Sequence, residues 1–284
     1  MPHPHADYSY NANLFDDSIL TWGSDYAITL VSVVLGVREL TTLSAAAASP
    51  TKRTAAFAAE ARRLRVLNCA FMLVCALCGF AGGFAHHRLA ADLSALSFRV
   101  CWSSCVSLLA VCGSVLGLVS TLLTDMGQRY GSVSFPLPHF PPLFWYLWAL
   151  VHIVCVFVGL FSCQQPAGDM LLSGFSHALP LAALVGSLRV GSGSGTVWRR
   201  GDRSARMRAP TARFFAFALL LNSPLTVIYP ILDTHAVSWG YTIGFIYAVF
   251  HAILIVCIVA QNSAMRSVAA EMEADYQSDT GKKQ

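Results

Sequence analysis

Charge is scarce in this chain. Of 284 residues only 12% are Asp, Glu, Lys or Arg, while 55% are apolar, a balance too hydrophobic for a water-soluble domain of this size. Lysine is rarer still: Lys52, Lys282 and Lys283 all stand outside the apolar runs. A retinal protein holds its chromophore as a Schiff base on a lysine of the last helix, so opsin-type photochemistry is excluded. The opening stretch, MPHPHADYSYNANLFDDS, has neither a basic start nor a short apolar core and is not expected to act as a cleaved signal peptide. The net charge of +4 does not point to nucleic acid, because the basic residues sort along the chain in a pattern set by a membrane.

What the chain has is apolar runs separated by short polar stretches, the pattern of a polytopic membrane protein. Its organising stretch is RVLNCAFMLVCALCGFAGGFAHHR, Arg65 to Arg88, with no charged side chain between Arg65 and His86. About 20 apolar residues cross the hydrocarbon core as a helix, and backbone groups in lipid must be satisfied within the segment. On that helix Cys75, Gly79, Gly83 and His87 form one stripe and Cys78, Gly82 and His86 the next. Small residues mark a face that another helix approaches closely. Side chains lean toward the helix N-terminus, so each imidazole is expected to lie over Gly82 or Gly83, beside room for a ligand, a metal or a partner side chain.

Seven spans are expected, at residues 24–44, 66–88, 100–123, 142–161, 170–189, 214–231 and 241–262. The first is the shortest in apolar core, bracketed by Asp25, Arg38 and Glu39. The fold class is therefore all-α, a seven-transmembrane helix bundle, with a polar segment at 1–23, the bundle at 24–262 and a tail at 263–284. The loop after the first span holds Lys52, Arg53, Arg62, Arg63 and Arg65, and the loop after the fifth holds Arg199, Arg200, Arg203, Arg206 and Arg208. Positive loops stay cytoplasmic. The N-terminus is then extracytoplasmic or lumenal and the C-terminus cytoplasmic, and only an odd number of spans satisfies this. The sequence does not say which membrane. Pro180, Pro224 and Pro230 predict kinks, and the tail from Arg266 is read as a fraying helix that ends in disorder.

Eight of the nine cysteines lie within apolar runs, where free cysteine acts as a small hydrophobe. Cys75 and Cys78 have the spacing of half a zinc site, but no second pair completes it, and no disulfide framework is implied. Ionisable residues inside a span are functional candidates by default: Asp25 in the first, His86 and His87 at the end of the second, His177 in the fifth and His251 in the seventh, with Asp233 and His235 in the loop before it. His152, mid-way along the fourth, has no polar neighbour on its own helix. Three imidazoles from separate helices suit Zn²⁺ with an open fourth position, which lowers the pKa of a bound water. The candidate ligands are His86 or His87, His177 and His251, with Asp25 as catalytic base or as the group that orients a ligand. The bland alternative leaves each histidine hydrogen-bonded to a nearby carbonyl, serine or tyrosine; Ser173 stands one turn before His177 and Tyr247 one turn before His251.

With SDYAITL opening the first span, GGFAHH closing the second and FHAILI in the seventh, the chain resembles an uncharacterised bacterial-type seven-helix membrane family. That family more distantly resembles the superfamily of alkaline ceramidases and progestin/adiponectin-type receptors. The resemblance implies an intramembrane zinc held by three histidines that hydrolyses lipid amides with help from a serine and an aspartate. It maps the first zinc histidine onto His86 or His87 and a later one onto His251. Two positions depart from it. Gly82 or Gly83 stands where the serine is expected, and Ile255 replaces the second of two histidines one turn apart in the last helix.

G-protein-coupled receptor signatures are poor: Gln128-Arg129-Tyr130 lacks its acid, and no Asn-Pro-x-x-Tyr lies in the seventh span. Three readings stand: a receptor-like or scaffold membrane subunit, an intramembrane zinc-dependent lipid amide or ester hydrolase, and a small-solute or proton-coupled transporter. In each the partner is membrane lipid, with other membrane proteins as further candidates and nucleic acid as none.

Overall fold

The computed structural model describes residues 16–47, 55–93, 95–130, 139–158, 166–193 and 242–281. These form six α-helices: α1 (Ile19–Ala47), α2 (Ala55–Phe84), α3 (Leu96–Tyr130), α4 (Pro142–Phe157), α5 (Pro166–Gly193) and α6 (Ile243–Gly281), with a π-helical turn at Ala85–Leu89 after α2. No strand occurs among the described residues. The expected sixth span at 214–231, Asp233, His235 and the arginine cluster from Arg199 to Arg208 lie outside them, so α6 corresponds to the expected seventh span.

Among the described residues four helices are long and apolar enough to cross a membrane, and two shorter apolar segments lie at Pro142–Phe157 and Leu172–Ser187. Together they make a multi-pass membrane protein the natural reading of the fold. The first helix, despite its three charged residues, is continuous from Ile19. Asp25 and Glu39 are buried while Arg38 is exposed, so the helix survives because its acids face protein rather than lipid. The last helix continues beyond the expected span to Gly281. The fifth also stays helical through Pro180.

Local signals set the helix starts. Pro142 opens α4, where its missing N–H costs nothing. Thr242 caps α6 by accepting the Phe245 N–H at 3.3 Å. Outward faces carry Leu30, Val33, Val34 and Val37 on α1 and Leu143, Leu147, Leu150 and Val154 on α4, apolar surface suited to lipid. The span in α3 is 78% buried and that in α1 only 17%, so α3 is the axis of the bundle and α1 lies at its edge. Met72, Leu116, Leu184 and Met265 fill the main core.

Cross-helix contacts fix the directions. Thr29 Oγ1 donates to the Ala76 carbonyl at 3.3 Å and Cys69 Sγ to the Gly36 carbonyl at 3.8 Å, so α1 and α2 are antiparallel. Cys78 meets Cys105 and Cys75 meets Cys112, which makes α2 and α3 antiparallel. Leu172 packs in one cluster with Trp102 and Val106, the Ser176 carbonyl sits over Gly113, and Ala182 and Ala183 face a recess shared with Ser120 and Thr124. Hence α3 and α5 are parallel. Asn68 Nδ2 donates to Asn262 Oδ1 at 2.8 Å, while His86 lies against Tyr247, so α6 runs against α2 and along α1.

Candidate functional site

A cavity of about 120 Å³ opens between α1, α2, α3, α5 and α6. Its walls are mostly apolar, from Ile28, Phe71, Leu109, Leu254 and Ile258. The polar groups that reach it come from separate helices: Asp25 from α1, His86 from the π turn, Ser173 and His177 from α5, and His251 and Gln261 from α6. Four of the five residues singled out from the sequence therefore line a single space.

Glycine brings Asp25 in. A Cβ on Gly82 would stand 3.2 Å from Asp25 Oδ1 and 3.4 Å from Cys105 Sγ, and one on Gly83 would stand 2.9 Å from the Tyr26 ring. The room foreseen over the glycines is thus filled by α1, and the small-residue stripe is the seat of a helix contact. Asp25 Oδ1 lies 3.5 Å from His251 Nε2. Asp25 Oδ2 is buried with no hydrogen-bond partner among the described residues, and a buried acceptor left in that state costs about 1–3 kcal/mol.

The histidine tautomers follow from their partners. Ser24 Oγ donates to the Leu20 or Thr21 carbonyl, at 2.6 and 2.8 Å, and lies 2.8 Å from His251 Nδ1. With its one proton committed, the hydroxyl accepts from Nδ1–H, and Nε2 is the nitrogen turned to Asp25. His86, only 2% exposed, donates from Nδ1 to the Asp16 carbonyl at 2.7 Å. Its ring stands edge-on to Trp102 at 5.6 Å and to Tyr247 at 5.6 Å. Asp16 is held in place in turn, since its carboxylate accepts from Ser18 and Thr21 at the start of α1. His177 donates from Nδ1 to the Ser173 carbonyl at 3.0 Å. In all three rings Nδ1 is the tethered nitrogen.

Such tethering is how metal-binding imidazoles are oriented, but the grouping fails. Among the described residues no three His, Cys, Asp or Glu side chains stand close enough together to hold a metal ion. The expected zinc set of His86 or His87, His177 and His251 does not assemble there. His87 departs furthest. In the π turn it stands at an exposed position, stacked on Trp22 with ring centroids 4.4 Å apart and with Nδ1 3.5 Å from the Tyr26 hydroxyl. Gly83 and His87 both face Tyr26 of α1, so the stripe of Cys75, Gly79 and Gly83 runs on along α1 to His87 at its exposed end, beside the cavity rather than in it. His152 is buried but donates to its own helix at the Trp148 carbonyl, 2.8 Å away.

Two features were not foreseen from the sequence. One is Ser24, read only as the edge of a span, which sets the His251 tautomer. The other is the thiols: Cys75, Cys78, Cys105 and Cys112 all face the cavity in two cross-helix pairs, with Sγ–Sγ distances of 3.5 Å for Cys75–Cys112 and 3.7 Å for Cys78–Cys105. The spacings three and seven residues apart put each helix's two cysteines on one face, which was the signal available. In comparisons with known proteins the chain matches no family model, no curated protein and no solved structure.

Proposed function

We propose that this chain is a receptor-like membrane protein of seven spans whose bundle holds an amphiphilic small molecule, its polar head at Asp25 and its apolar part against the cavity walls. Small-molecule sites are concave and largely apolar, with a few converging polar groups, and this cavity has that character. The observation that carries the reading is Asp25 Oδ2, a buried acceptor without a partner among the described residues. A ligand O–H or N–H donor directed at it removes the penalty, so the head group is a hydrogen-bond donor.

The span count is supported by helix direction. Both α5 and α6 run along α1, so the chain leaves α5 at one end of the bundle and enters α6 at the other. That arrangement favours an odd number of spans, and the seven proposed put the two termini on opposite sides. The charged loops favour an outer N-terminus.

The test is recovery of the ligand. Full-length protein extracted with its native lipid is expected to release a stoichiometric small molecule detectable by mass spectrometry, and Asp25→Leu is expected to lose it while remaining folded. Metal analysis of the same sample separates this reading from a hydrolase: stoichiometric zinc lost on His251→Ala would sink it. Release of only bulk lipid, unchanged by Asp25→Leu, would leave a scaffold role in its place.

A further inference from the structure

One end of the cavity is built of acceptors. Ser24 takes the Nδ1–H of His251, which leaves Nε2 as a lone pair turned to Asp25 Oδ1 at 3.5 Å. A charge-assisted bond between nitrogen and carboxylate oxygen closes to about 2.7–2.9 Å, so this contact is too long to be one. Asp25 Oδ2 has no hydrogen-bond partner among the described residues. Both side chains are buried, Asp25 at 6% and His251 at 7% exposed. No lysine or arginine stands among the described residues that line the cavity, whereas Trp102, Tyr247 and Phe250 do, and aromatic rings attract a cation.

The cavity runs away from this end as a slot. On α6 its lining passes from His251 through Leu254 and Ile258 to Gln261, about 15 Å at 1.5 Å per residue. On α2 it passes from Gly82 back to Phe71, a similar length. Those two helices are antiparallel, so both series lead away from Asp25 in one direction. Along the slot the lining is thiol and hydrocarbon apart from Ser173, His177 and Gln261.

We infer that the cavity takes a primary alkylammonium ion, its N–H donors shared between Asp25 and His251 Nε2 and its hydrocarbon chain laid along the slot. This deepens the ligand reading and rests on it, choosing a cationic nitrogen as the donor head. A hydroxyl carries one proton and satisfies one of the three acceptor atoms, whereas an ammonium carries three. Charge favours the same head. A buried carboxylate is costly without a cation beside it, and the ammonium brings the countercharge that no lining side chain supplies. A carboxylate head would set two like charges together, and a quaternary ammonium would bring charge but no N–H for Oδ2.

Full-length protein in nanodiscs of zwitterionic lipid is titrated calorimetrically with decylamine, decanol, decanoate and decyltrimethylammonium, with empty nanodiscs as the blank. Decylamine is expected to bind once per protein and about tenfold or more tighter than decanol or the quaternary ion, and decanoate is expected not to bind. Asp25→Asn, close in shape but uncharged, is expected to erase the preference and bring decylamine down to the affinity of decanol. The wild-type series needs no variant to fold, so it stands alone as a test. Decanol, decanoate or the quaternary ion matching decylamine would overturn the inference, as would a preference for the amine that survives in Asp25→Asn. If decanol binds once per protein as tightly as decylamine, the ligand reading survives and the amine assignment falls. If none of the four binds, the amine assignment falls, and the ligand reading falls with it only when the natively extracted protein also carries no small molecule.

Discussion

Asp25 and His251 meet at 3.5 Å across α1 and α6, and further along the same two helices Glu39 meets Arg266. At 1.5 Å per residue the second contact lies about 21 Å beyond the first along α1 and about 22 Å along α6. Two polar latches at matched heights hold an edge helix to the bundle in a fixed register. One of them belongs to the cavity and the other closes the opposite end.

The first latch is testable as a pair. His251→Leu leaves the Asp25 carboxyl facing an apolar side chain, and its cost is expected at about 1–3 kcal/mol, the scale for a buried polar group left without its partner. The double variant Asp25→Leu, His251→Leu is expected to be more stable than His251→Leu alone. Unfolding by denaturing detergent, read by circular dichroism, measures both; equal stabilities would show that the two groups are not coupled.

The second latch centres on Glu39, fully buried between Arg266 and Arg65, whose Nη1 is 3.6 Å from Oε2. Arg266 is 24% exposed along its side chain and can turn to water. Glu39→Ala is therefore expected to lower the melting temperature more than Arg266→Ala does, with a cost of about 3–5 kcal/mol against about 1. The reverse order would place the stabilisation on Arg266 itself.

Two glycines separate packing from function. A Cβ on Gly117 would fall 2.2 Å from the Trp145 ring, which is buried and donates from Nε1 to Thr121 Oγ1 at 2.8 Å. Gly117→Ala is expected to cost about 1–3 kcal/mol by overpacking. Gly82→Ala meets a side-chain carboxylate that can shift, so its stability cost should stay under about 1 kcal/mol. It displaces Asp25, however, and ligand recovery should fall about tenfold, the equivalent of roughly 1.4 kcal/mol of binding.

The two adjacent histidines are expected to behave differently. His87→Ala removes the stack on Trp22 and should change Trp22 fluorescence while ligand recovery stays the same. His86→Ala opens the cavity wall between Trp102 and Tyr247 and should reduce recovery. If both variants lose ligand equally, the separation of the two rings into cavity wall and outer face is wrong.

Helix direction predicts sidedness. Epitope tags at the two termini should be accessible from opposite faces of sealed vesicles, as an odd number of crossings requires. Tags accessible from the same face would remove the additional crossing between α5 and α6.

Amino-acid order alone determined the long apolar helices, because lipid leaves a backbone no other way to satisfy its hydrogen bonds. It also pointed to Asp25, His86, His177 and His251, since a costly polar group within an apolar run stands out without any knowledge of packing. Tertiary structure decided how these groups are used. Which way an imidazole turns depends on a carbonyl such as that of Asp16 or a hydroxyl such as that of Ser24, far away in the chain for His86 and His251 alike. The point where α1 ends against α2 left His87 exposed beside Trp22 and Tyr26 and His86 buried against Trp102 and Tyr247. Whether cysteines are filler or facing pairs depends on the register between α2 and α3, and that register is fixed only when the two helices pack.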